Sequence, residues 1–156
     1  MNTGIGPGGP PGEAFLRWRR FALRAESLDI GRLMNATLVN RKLTDAEAAA
    51  YNAPFPSKEY QTGALVFPRL VPIRYDHPGA YDNRVAIERL RKLELPALLV
   101  WGKQDAITAP SEAHLRSIFR NLSETVWVNA GHFVQEDAGP EVAEHILRWM
   151  SDAARA

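Results

Sequence analysis

Asp105 and His132 are the residues of this chain best placed to do chemistry. Asp105 closes the apolar run Pro96-Ala-Leu-Leu-Val-Trp-Gly-Lys-Gln-Asp105, and His132 closes Glu124-Thr-Val-Trp-Val-Asn-Ala-Gly-His132, 27 residues further on. A histidine that accepts a proton becomes cationic. A carboxylate on its second nitrogen fixes the tautomer and stabilises that cation. Together the two make an acid-supported base, two members of a hydrolytic triad. The third member, a nucleophile, has no candidate: the chain has no cysteine, and no serine stands in a Gly-x-Ser-x-Gly elbow. Either residue alone is more often a turn or cap group, so the pair carries the argument.

The elements that must hold this pair are readable from the pattern. Ala97 to Trp101 is a short apolar run bounded by Pro96 and Gly102, as in a strand buried on both faces. Thr125 to Val128 is a second such strand. Ser111 is expected to cap a helix running to about Phe119. Pro140 suits the first position of a helix over Glu141 to Met150, with Val142, Ile146, Trp149 and Met150 as its buried stripe. Strands alternating with helices predict a parallel α/β sheet, whose reactive crevice lies beyond the carboxyl ends of the strands. Asp105 and His132 would both emerge there.

Residues 13 to about 93 are helical in pattern. From Glu13 to about Ser27, Phe15, Trp18, Ala22 and Ala25 share one stripe, and Arg17, Arg20 and Arg24 another. Thr44-Asp-Ala-Glu47 reads as a capping box opening a short helix through Ala50, which the Pro54-Phe-Pro56 segment stops. Further helices are expected over Lys58 to Phe67, ending near Pro68, and over Tyr81 to Leu93. Two strands are too little sheet to pair all their edges, so the pattern suits the second half of a larger fold.

Composition excludes several classes. The 156 residues are 46% hydrophobic and 24% charged with a net charge of +1, which is ordinary for a globular chain and gives no reason to expect nucleic acid. Interleaved Arg17, Trp18, Arg20, Phe21 and Arg24 resemble a nucleic-acid surface, but helical spacing sorts the two types onto separate stripes. No apolar run reaches the roughly 20 residues of a membrane helix, and the start lacks a secretory signal. Absence of cysteine suits a reducing compartment, so a cytoplasmic protein is expected. His77, His114 and His145 show no metal-ligand spacing. Gly4-Ile-Gly-Pro-Gly-Gly9 matches a dinucleotide fingerprint formally, but no strand precedes it and its prolines oppose a helix.

Trp101-Gly-Lys-Gln-Asp105 followed by Asn129-Ala-Gly-His132-Phe-Val-Gln-Glu136 resembles the closing half of an α/β-hydrolase. Phe15-Leu-Arg-Trp18, Ala50-Tyr-Asn-Ala-Pro-Phe-Pro56 and Phe67-Pro-Arg-Leu-Val71 resemble, more narrowly, the helical cap of haloalkane dehalogenases. The resemblance runs from about Met1 to Trp149. It implies a partial α/β-hydrolase fold: residues 1–12 as a loop after a core strand, 13–93 as helical cap, and 94–156 as the C-terminal part of the core. It also implies hydrolysis of a carbon–halogen bond to alcohol and halide, with water as cosubstrate and no cofactor. In that chemistry an aspartate nucleophile forms an alkyl-enzyme ester, and a histidine-activated water then cleaves it. His132 matches the base and Asp105 its acid partner. Trp18 matches the cap indole that binds halide, and Phe15, Phe67, Pro68 and Val71 match pocket positions, with Ile107 and Phe133 beside the catalytic pair. The nucleophile, its neighbouring tryptophan and the first oxyanion segment would belong to a front half that these residues do not include, so the chain alone is expected to be inactive. Met1 reads as an internal methionine taken as a start or as the mark of a truncated gene. Two other readings stand beside this one: an epoxide or ester hydrolase of the same fold, and a non-catalytic remnant or partner-binding helical module. Oligomeric state is not encoded in any of these signals.

Overall fold

A computed structural model describes residues 1–153; positions 154–156 of the expected core part lie outside the described residues. Two parallel strands, β1 (Val100–Gly102) and β2 (Val126–Val128), form the sheet, with Val100 opposite Val126 and Gly102 opposite Val128. Both faces of β1 are covered, whereas β2, expected to be buried on both faces as well, leaves Trp127 39% exposed. On one side Val100 and Val128 pack with Ala130, Val134, Ala138 and Val142 of the C-terminal helix α7 (Val134–Ala153). On the other, Leu99 and a fully buried Trp101 pack with Ile87 of α5 (Ala80–Leu90) and with Leu115 and Ile118 on and after α6 (Glu112–Arg116). Burial on both faces is what the unbroken apolar run demanded.

The strand is shorter than the Ala97–Trp101 expectation and shifted toward Gly102. Ala97 pairs with Leu122 in an isolated bridge, whereas Val100 pairs with Val126, so the second segment carries one extra residue between the two contacts. That bulge interrupts the ladder and confines the regular sheet to its carboxyl end.

Four further helices precede the sheet: α1 (Glu13–Arg24), α2 (Ile30–Thr37), α3 (Asp45–Asn52) and α4 (Thr62–Leu70). The Thr44–Glu47 capping box is present, and α3 runs to Asn52 before the prolines. Helix α2 was not foreseen as a separate element. Asp29 caps it by accepting from the Arg32 amide at 3.0 Å, and Asn52 accepts from the Gly31 amide at 3.1 Å. Pro68 lies inside α4 rather than ending it. One proline removes only its own bond to the preceding turn, and the Pro68 ring is buried while its carbonyl accepts from Arg19 Nε of α1 at 3.2 Å.

Three other local expectations are corrected. Ser111 does not cap α6, because it already has helical backbone at the end of a 3-10 turn over Ala109–Ser111. Met150 is 55% exposed and lies off the buried stripe of α7, which has a kink at Ala138 (φ −143°, ψ 30°) ahead of Pro140. Phe21 is half exposed and stands among Arg17, Arg20 and Arg24, so aromatic and basic residues of α1 are less cleanly separated than the spacing implied. Within the 13–93 segment, α1 packs on α4 and α2 on α3, whereas α5 packs on the sheet through Ile87 and Leu90.

Candidate active site

The loops leaving β1 and β2 run side by side and present the two polar residues together. The Lys103 amide donates to the Val128 carbonyl at 2.9 Å and the Gln104 amide to the Ala130 carbonyl at 3.0 Å, which continues the strand pairing past the sheet. Asp105 then turns back, its amide donating to Gly102 at 3.1 Å. Its side chain lies 3.0 Å (Oδ1) from His132 Nδ1.

The Asp105 carboxylate is only 3% exposed, and a buried charge needs partners. It has several. Oδ1 accepts from the Ile107 amide at 2.9 Å, both oxygens accept from the Thr108 amide at 3.3 Å, and Oδ2 accepts from the Thr108 hydroxyl. Burial pushes the carboxyl pKa up, but the hydrogen bonds from His132, the Thr108 hydroxyl and the Ile107 amide outweigh it and hold the group below its ordinary 3.8. An ionised Asp105 favours the tautomer with its proton on Nδ1, leaving Nε2 of His132 free to take a proton. The Phe133 ring stands edge-on to the imidazole, 5.1 Å between centroids.

His132 opens onto a cavity of about 400 Å³ between the sheet's carboxyl end and helices α1, α2 and α4. Phe15, Trp18, Phe67, Pro68, Ile107 and Phe133 all line it; Val71 does not. Val71 is the extended residue just past the end of α4, where the chain turns away. The spacing-based reading missed the contribution of α2: Ile30, Leu33, Met34 and Thr37 form its cavity face, joined by Leu28. Their i, i+3, i+4, i+7 rhythm after Asp29 was the available signal. Thr108 was missed as well. The lining contains no Asp, Ser, Cys or Tyr; its hydroxyls are those of Thr37, which donates to the Met34 carbonyl at 2.9 Å, and Thr108, which donates to Asp105. Tyr60, Tyr75 and Tyr81 are exposed, and the Tyr51 hydroxyl donates to Glu136 at 2.5 Å. His77 accepts from the Ile73 amide at 3.2 Å, away from the cavity. Among the described residues no cluster of three or more His, Cys, Asp or Glu could hold a metal.

This arrangement can polarise a water or take a proton beside an apolar chamber.

The chain is 41% identical over 142 residues to a haloalkane dehalogenase of Mycobacterium marinum, covering 88% of this chain and 46% of that protein. It is 34% identical over 147 residues to a haloalkane dehalogenase of Psychrobacter cryohalolentis, covering 92% of this chain and 48% of that one. The chain thus spans about half the length of the curated relatives it matches. Among solved structures, the tetrameric haloalkane dehalogenase DpaA of Paraglaciecola agarilytica matches with a TM-score of 0.82 and 31% identity, over 93% of this chain and 49% of that one. A putative ancestral haloalkane dehalogenase matches with a TM-score of 0.75 at 23% identity, a likeness of fold alone. No family model matches the chain.

Proposed function

Starting from homology to haloalkane dehalogenases over about half their length, with the corresponding part of the α/β-hydrolase fold, we propose that this chain supplies the base and the cap of a hydrolytic dehalogenation site. The observation that carries the reading is the Asp105–His132 pair, 3.0 Å apart, opening onto an apolar cavity that Trp18 also lines.

In this reading His132 removes a proton from water as that water attacks an alkyl ester, and ionised Asp105 stabilises the resulting imidazolium. The Trp18 indole N–H, a donor with no acceptor capacity, takes one side of the departing halide. Phe15, Phe67, Pro68, Ile107 and Phe133 hold the alkyl chain and exclude bulk water, which strengthens the halide's hydrogen bonds. The substrate is a small halogenated alkane and the cosubstrate is water. The ester-forming aspartate comes from a segment of the dehalogenase type outside these 156 residues, so the chain alone does not turn over. A cytoplasmic setting, which a cysteine-free chain suits, belongs to the same proposal. The epoxide alternative needs an acidic hydroxyl donor at the chamber, and no tyrosine lines it.

Halide release from 1,2-dibromoethane and 1-chlorobutane tests the proposal. The chain joined to the remaining half of the Mycobacterium marinum relative is expected to release halide, and the 156-residue chain alone is expected to release none. A folded, joined protein without halide release would overturn the assignment, and turnover by the chain alone would overturn the missing-nucleophile part.

A further inference from the structure

The backbone that carries His132 is held from two opposite sides by side chains outside the Asp105–His132 pair. From one side, Asn2 Nδ2 donates to the Gly131 carbonyl at 2.9 Å and to the His132 carbonyl at 2.7 Å. The same side chain's Oδ1 accepts from the Gly102 amide at 2.9 Å. One amide therefore ties the turn bearing His132 to the end of β1, just before Asp105. From the other side, Asp137 Oδ2 accepts from the Gly131 amide at 2.8 Å. That carboxylate also accepts from the amides of Val39, at 3.0 and 3.1 Å, and Asn40, at 2.9 Å, in the turn after α2.

Both peptide groups flanking Gly131 are thus fixed, one by its N–H and the other by its carbonyl. Gly131 itself has no room to shift: a Cβ there would lie 2.0 Å from the Thr37 carbonyl oxygen. The chemistry is specific. Only a side-chain amide can donate to two carbonyls while accepting from an N–H, and only a carboxylate can accept from three amides with full charge.

We propose that Asn2 and Asp137 are positioning residues for His132, gripping the turn that carries it so that its Nδ1 stays on Asp105 and its Nε2 faces the chamber. The proposal rests on His132 being the base, but its readout is the ring hydrogen bond, which exists with or without turnover. In the 156-residue protein, proton NMR with labelled histidine nitrogens is expected to show a downfield Nδ1–H resonance from His132. Asn2→Asp keeps the size and the acceptor for Gly102 but turns a carboxylate oxygen toward two carbonyls. Asp137→Asn keeps the shape and removes the charge. Both are expected to lose that resonance while near-UV circular dichroism stays native; Asp137→Asn, which alters the acceptor of the Gly131 N–H, is also expected to speed exchange of that amide about tenfold, the equivalent of one lost hydrogen bond. Thr44→Ala, which weakens the α3 cap elsewhere, is expected to leave the resonance in place.

An unchanged Nδ1–H signal in both variants, with faster Gly131 exchange in Asp137→Asn, would overturn the proposal. So would its loss in Thr44→Ala, which would make the effect one of general stability, or the unfolding of both Asn2→Asp and Asp137→Asn. Absence of the resonance in the unsubstituted chain would remove the Asp105–His132 pair, and with it the base reading.

Discussion

At the scale of single residues, the account depends on Asp105 staying ionised while buried. Its pKa lies below the ordinary 3.8, so the ionised form contributes stability that is complete above that value and is lost as pH falls through the folded-state pKa. We expect the urea midpoint to drop below about pH 4 and this component of the acid dependence to vanish in Asp105→Asn. Thr108→Val removes one charged hydrogen bond and should raise the Asp105 pKa at a cost of about 1.5–3 kcal/mol, read from carbon NMR titration and urea denaturation at neutral pH. An unshifted titration would show that the backbone amides of Ile107 and Thr108 suffice. Asp105 and His132 were legible because each ends an apolar run, a local signal. Thr108, Asn2 and Asp137 were not, because their role is to bond peptide groups and neighbours that only the folded chain brings near. Val71 differs: its motif resembles that of the cap, but the helix ends one residue before it and it is not among the residues that line the chamber.

Among the elements, α2 decides the shape of the cavity. It was hidden in the sequence by a weak start signal, a lone Asp29 with no capping-box partner. The α3 capping box, by contrast, was readable because both its partners lie within four positions. Gly31 is where α2 touches α3: an added Cβ would lie 2.6 Å from the Ala48 carbonyl oxygen, so the helices must part. Gly31→Ala is therefore expected to cost about 1–3 kcal/mol and to loosen the cavity wall, measurable as a lower melting temperature and stronger binding of a fluorescent apolar dye. Thr44→Ala should cost about 1 kcal/mol and leave the cavity unchanged. Equal effects of the two on dye binding would contradict the role given to the α2–α3 contact. The β-run was legible as buried, but its bulge was not, since one extra residue leaves no mark on hydrophobicity.

For the molecule as a whole, the described residues form a two-stranded sheet with helices packed on it, further helices α1 to α4, and apolar side chains such as Leu95, Trp127, Leu147 and Met150 left exposed. The shortage of strands was legible as half a fold, and the relatives, matched over 46 to 48% of their length, agree. Exposed apolar surface of this kind favours self-association, which sedimentation velocity should detect as rising with concentration in the 156-residue chain and falling in the joined protein. The central proposal is narrower: His132 activates the water that hydrolyses an ester formed by another segment. Intact-mass analysis of the joined protein carrying His132→Gln, exposed to 1,2-dibromoethane, tests it most directly. The account predicts one equivalent of bromide and a stable alkyl adduct on the protein. Continued bromide release, with no adduct, would contradict it.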